Sequence, residues 1–112
     1  MGKIYSNQKR IEIMPKTLDI PNCVINVGVL EKAMSNLDGV ALKLWLYLVK
    51  NQSGFEFGLS NKACESFGIT KSSYYRAIDK LIEDGYLVPV GEDKLLFYEE
   101  PLSMEQRVRL QF

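Results

Sequence analysis

Between Thr70 and Asp84 the chain reads TKSSYYRAIDKLIED, a run whose polar side chains are suited to recognition rather than to packing alone. Lys71, Ser72, Ser73, Tyr75, Arg76 and Lys80 carry ammonium, hydroxyl, phenol and guanidinium groups, nearly all of them hydrogen-bond donors. The planar fork of Arg76 matches a phosphate or the edge of a guanine. Lys71, Ser72 and Ser73 suit phosphates or base edges, and Tyr75 can donate to a phosphate or pack on a thymine methyl. A second set is acidic: Glu92, Asp93, Glu99 and Glu100. These residues fall at the ends of strand-like runs, where they are either solvated rims or a surface that imitates phosphates to a protein partner.

Other chemistries lack their residues. The chain has no histidine and two cysteines, Cys23 and Cys64, so the usual zinc ligand sets cannot be assembled. Ser/His and Cys/His catalytic pairs are excluded for the same reason. Gly54 and Gly58 do not form a phosphate-cradling or dinucleotide motif. No enzyme activity, cofactor or metal is expected. Met1 to Arg10 is polar and lacks the apolar core of an export signal, so the expectation is a cytoplasmic protein with both thiols reduced. The longest apolar run, Val40 to Val49, is interrupted by Lys43 and falls far short of the ~20 residues that span a membrane. With 112 residues the chain fits one domain. Its 14 basic and 14 acidic residues cancel, so net charge exerts no bulk pull toward nucleic acid or membrane.

The elements that must position these groups follow from periodicity and punctuation. Residues 1–37 read as an extended lead-in, with strand-like alternation at Ile11 and Ile13 and again at Ile25, Val27 and Val29. Pro15 and Pro21 punctuate it, and Glu31 to Asn36 can form a helical turn. Asp38 caps a helix that runs to Lys50 and is apolar on nearly every side, with Trp45 in the core. Asn51 to Gly58 reads as a loop holding a very short strand, Phe55-Glu56-Phe57. Ser60 caps a short helix over Asn61 to Phe67, whose inner face is Ala63, Cys64 and Phe67. Gly68 breaks that helix, Ile69 turns inward, and Thr70 caps the next helix, which ends at Gly85. Along it, Tyr74, Ala77, Ile78 and Leu81 make a buried stripe and leave Tyr75 outside. Tyr86 to Val90 and Lys94 to Tyr98 then form a hairpin around Gly91-Glu92-Asp93, with Pro89 demanding an edge position. Ser103 and Gln106 resemble a capping box, so a short helix is expected from Met104.

The stretch LSNKACESFGITKSSYYRAIDKLIEDGYLV, Leu59 to Val88, resembles the winged helix-turn-helix family. Cys64 stands at the small position of the first helix, Phe67-Gly68-Ile69 at the turn, and Gly85-Tyr86-Leu87 at the close of the second helix. A narrower likeness is to the winged-helix modules of phage and plasmid replication initiators and regulators of Gram-positive bacteria. The resemblance implies an α+β fold in which a three-helix core carries a C-terminal β-hairpin wing. It divides the chain into an N-terminal strand-like extension (1–37), the winged domain (38–100) and a C-terminal segment (101–112). It also implies sequence-reading of double-stranded DNA, with the N-terminal part of helix 70–84 in the major groove. Charge leaves a second reading open. Over residues 60–80 the cations Lys62, Lys71, Arg76 and Lys80 outnumber Glu65 and Asp79. Over residues 83–100 Lys94 faces Glu83, Asp84, Glu92, Asp93, Glu99 and Glu100. An acidic wing is poor for lying on phosphates. The alternative is a protein-interaction module, such as a small phage inhibitor of a host nucleic-acid enzyme (a CRISPR nuclease, for example). The apolar helix 40–49 needs more cover than two short helices and one hairpin give, which either the lead-in and C-terminal segment or the second subunit of a homodimer would supply.

Overall fold

A computed structural model describes residues 9–15, 23–50 and 59–111. Its elements are α1 (Val27–Asn36), α2 (Gly39–Lys50), α3 (Asn61–Glu65), α4 (Lys71–Asp84), β1 (Leu87–Val90), β2 (Lys94–Phe97) and α5 (Met104–Gln111). The described residues therefore form an α+β arrangement of five helices and one two-stranded antiparallel sheet. None of these helices is long and apolar enough to cross a membrane.

The lead-in departs from expectation. The alternation at Ile25, Val27 and Val29 does not become a strand, because Asn26 caps a helix there. Its side-chain oxygen accepts from the backbone N–H groups of Gly28 (2.9 Å) and Val29 (3.3 Å). Val29 and Ala33, one helical turn apart, then face the core, while Val27 is left exposed. The expected turn at Glu31 to Asn36 is the C-terminal part of this longer helix. Ile11 and Ile13 lie in a stretch without regular secondary structure, and both are exposed. The expected strand Phe55-Glu56-Phe57 lies outside the described residues.

Helix α2 is the centre of the core. Asp38 Oδ1 accepts from the Ala41 N–H (2.9 Å), and Ala41, Leu44, Trp45, Leu48 and Val49 are buried. The Trp45 indole N–H donates to the Glu99 carbonyl (3.2 Å), which satisfies its one polar group and ties the core to the end of the hairpin. Leu46 remains exposed, so the helix is covered on most sides but not on all. Around it pack Val29, Ala33 and Leu37 from the first helix and its exit, Cys64 and Ile69 from the turn region, the α4 stripe, and Tyr86 and Leu87. The Tyr86 hydroxyl accepts from the Asn36 amide (3.3 Å). Residues 27–37 thus share one core with the rest.

The hairpin pairs Leu87 with Phe97 and Val90 with Lys94. Gly91, at φ 70°, makes the left-handed turn between the strands. Beyond it, the Ser103 N–H donates to Gln106 Oε1 (2.8 Å) and the Gln106 N–H to Ser103 Oγ (3.2 Å), the reciprocal capping box that starts α5.

Candidate nucleic-acid interface

The direction of α4 is set by the turn before it. Helix α3 starts at Ser60, whose Oγ accepts from the Ala63 N–H (3.2 Å), and stops at Glu65. Gly68 takes φ 80° and its N–H donates to the Glu65 carbonyl (2.9 Å), while the Ile69 N–H donates to the Cys64 carbonyl (3.3 Å). Lys43 of α2 donates from Nζ to the Phe67 carbonyl (2.9 Å), fixing the turn to the core helix. Burial of Cys64 raises its thiol pKa above the ordinary value, because a thiolate there would be poorly solvated. Phe67, expected on the inner face, is 40 % exposed. Because α3 ends early, the turn carries its ring outward, 5.0 Å from the Tyr47 ring, with Lys50 Nζ 5.4 Å from both centroids.

Thr70 Oγ1 accepts from the Ser73 N–H (3.3 Å) and opens α4. Tyr74, Ala77 and Leu81 are buried and Ile78 is half-buried, as the spacing predicts. Gly85, at φ 91°, ends the helix, and the Tyr86 N–H reaches back to the Leu81 carbonyl (2.9 Å). A third clamp comes from the C-terminal segment: Arg107 Nη1 donates to the Glu83 carbonyl (2.9 Å) and Nε to the Leu102 carbonyl (3.0 Å). Nothing local in the sequence announces this tether, which joins residues 24 apart.

With the helix held this way, Lys71, Ser72, Tyr75 and Arg76 are exposed in its first two turns. Ser73 is half-buried, and its Oγ lies 3.4 Å from Arg76 Nη2, a long contact. Tyr75 is 52 % exposed and meets the buried Tyr74 ring edge-on at 5.2 Å. Tyr74 has its phenol pKa raised, first by burial and then by the neighbouring Cys64 and Tyr75. Lys80 departs from the expected group. It pairs with Asp84 (3.3 Å), and both line a polar cleft with Ser35, Asn36, Glu83 and Arg107, on the flank facing α1. The exposed face also includes two carboxylates that the basic pattern obscures, Asp79 and Glu83. They share a side with Tyr75 and Arg76 because helical neighbours recur every three or four residues. The face is therefore basic and hydroxylic at its N-terminal end and acidic at its C-terminal end.

The four acids of the second set do not form one patch. Glu92 and Asp93 are exposed at the hairpin turn. Glu99 and Glu100 follow the far end of β2, on the order of 20 Å away at about 3.3 Å per strand residue. Glu99 is half-buried, with its carbonyl bound to Trp45. Among the described residues no group of three or more His, Cys, Asp or Glu side chains could hold a metal ion. Comparisons with models of protein families, with curated proteins and with solved structures gave no match.

Proposed function

We propose that the chain is a winged helix-turn-helix protein without catalytic activity that reads double-stranded DNA with α4 in the major groove. One observation carries this reading: the first two turns of α4 expose Lys71, Ser72, Tyr75 and Arg76 with no acid in the first turn, while Tyr74, Ala77 and Leu81 root the helix in the core. A groove-reading helix needs its basic and polar groups at this end, where the helix dipole also favours phosphate. In this role Arg76 forks onto a guanine edge, and Lys71 and Ser72 hold the backbone. Tyr75 lies against the groove wall or a thymine methyl. The hairpin is the wing, and its tip stays off the phosphates because Glu92 and Asp93 would be repelled there.

The test is a titration of labelled duplex at two salt concentrations. Arg76→Ala is expected to cost about 1–3 kcal/mol of specific binding. Lys71→Ala is expected to weaken all sequences alike and to flatten the salt dependence by about one unit of slope. Undetectable binding by the folded wild type at low salt would overturn the reading.

A second reading is supported by the exposed acids at the hairpin tip, Glu92 and Asp93. Here the domain docks on a nucleic-acid-binding protein, with these carboxylates in place of phosphates. Glu99 and Glu100 would then contact a second basic point on the partner. Capture of a host protein that survives nuclease treatment, and is lost with Glu92→Gln and Asp93→Asn but not with Arg76→Ala, selects this alternative.

A further inference from the structure

Resting on the DNA reading above, we propose that Asp79 determines specificity by accepting a hydrogen bond from the amine of a cytosine close to the guanine held by Arg76. A solvated helical carboxylate ordinarily pairs with a cation one turn away. Asp79 is exposed and has no hydrogen-bond or ion-pair partner among the described residues. Lys80, next in sequence, is turned to Asp84, and Arg76, one turn back, has its guanidinium directed toward Ser73. The neighbour at the next turn is Glu83, a like charge. Asp79 is thus an uncompensated acceptor on the same face as Tyr75 and Arg76.

Such a group has two effects on a duplex. Against phosphates it is repulsive, so it lowers affinity for DNA in general. In the major groove it is satisfied only by a donor, and the donors there are the amines of cytosine and adenine. A carboxylate carries acceptors alone, which suits the cytosine amine, whereas adenine also presents an acceptor, N7, beside its amine. Residues three apart on a helix have Cβ atoms ~5–6 Å apart, and base pairs are stacked about 3.4 Å apart. Arg76 and Asp79 therefore address base pairs one or two steps from each other. The preferred element is a guanine followed within that distance by a cytosine. Glu83, a further turn toward the C-terminal end, stays at the rim of the groove and limits how deep the helix can lie.

The test is selection from a randomised duplex library by the wild type, by Asp79→Ala and by Asp79→Asn. Asp79 is exposed, so both variants are expected to fold, and melting curves verify this. The wild type is expected to prefer cytosine by about ten-fold at one position beside the guanine. Asp79→Ala is expected to lose that preference and to bind random duplex more tightly. Asp79→Asn is expected to move the preference to adenine, because a carboxamide matches both the amine and N7. A wild-type site that both variants leave unchanged would overturn the role of Asp79 while leaving the groove-reading helix intact. A wild type that selects no sequence, or does not bind, would overturn the DNA reading and this inference together.

Discussion

Helix α4 and the hairpin that follows it are consecutive in the chain and share one core, yet the exposed N-terminal end of the helix and the hairpin tip carry opposite charge. The helix buries Tyr74, Ala77 and Leu81 and presents Lys71 and Arg76; the hairpin buries Leu87 and Val88 and presents Glu92 and Asp93. The helix is held along its length by a stripe and at its end by Gly85, Leu102 and Arg107. At the hairpin tip, by contrast, a Cβ placed on Gly91 would meet no atom of the described residues within 4 Å. Burial fixes where each element lies, while the charge on its outer face is free to differ. One core can therefore carry a basic helix end and an acidic hairpin tip.

The comparison breaks most visibly at the paired tyrosines. Tyr74→Ala is expected to destabilise the fold by ~3–5 kcal/mol, the usual cost of removing a buried aromatic. Tyr75→Ala is expected to stay within about 0.5 kcal/mol of the wild type. Denaturant unfolding of the two variants decides it, and equal midpoints would mean that α4 is rotated.

Next in size is the pair of glycines that bound the hairpin's neighbourhood. A Cβ on Gly85 would lie 2.5 Å from the Leu102 carbonyl oxygen and 2.6 Å from the Arg107 guanidinium, in addition to its φ of 91°. Gly85→Ala is expected to cost more than about 2 kcal/mol, backbone strain plus overlap. Gly91→Ala has the strain of φ 70° alone and is expected to cost roughly 1–2 kcal/mol. Thermal melts that rank them the other way would place the rigid anchor at the tip.

A smaller effect should appear at alkaline pH, on the side of the core where Cys64 and Tyr74 are buried. Cys64 and Tyr74 both hold their protons more tightly when folded. The stability they contribute is full below their ordinary values of 9.0 and 10.0, and it is lost as pH rises through the folded values. Melting temperatures are expected to fall across that range, and less so in Tyr74→Phe. A thiol reagent at neutral pH should label exposed Cys23 at once and buried Cys64 only on unfolding.

The smallest effect is expected at the tip. Neutralising Glu92 and Asp93 should leave stability within about 0.5 kcal/mol and raise non-specific duplex affinity slightly. A loss of duplex affinity would show that the tip contributes to binding.

Features that depend on neighbours a few residues apart can be read directly from the residue order. The caps at Asp38, Ser60, Thr70 and Ser103, the turn at Gly68 and the stop at Gly85 were all legible, because each is a hydrogen bond or a backbone angle within one turn. So were the Tyr74 and Tyr75 orientations, which a 3.6-residue period dictates. Short apolar alternation was not enough at Val27 and Val29, where Asn26 at the N-cap and the later spacing of Ala33 favour a helix on α2. Long-range packing set the rest: Phe67 outward against Tyr47, the cleft beside α1 in which the local Lys80–Asp84 pair sits, Trp45 bound to Glu99, and Arg107 locked onto the end of α4. Most of these contacts join residues far apart in the chain. Where such side chains settle depends on which surfaces the core leaves open, and no local period encodes that.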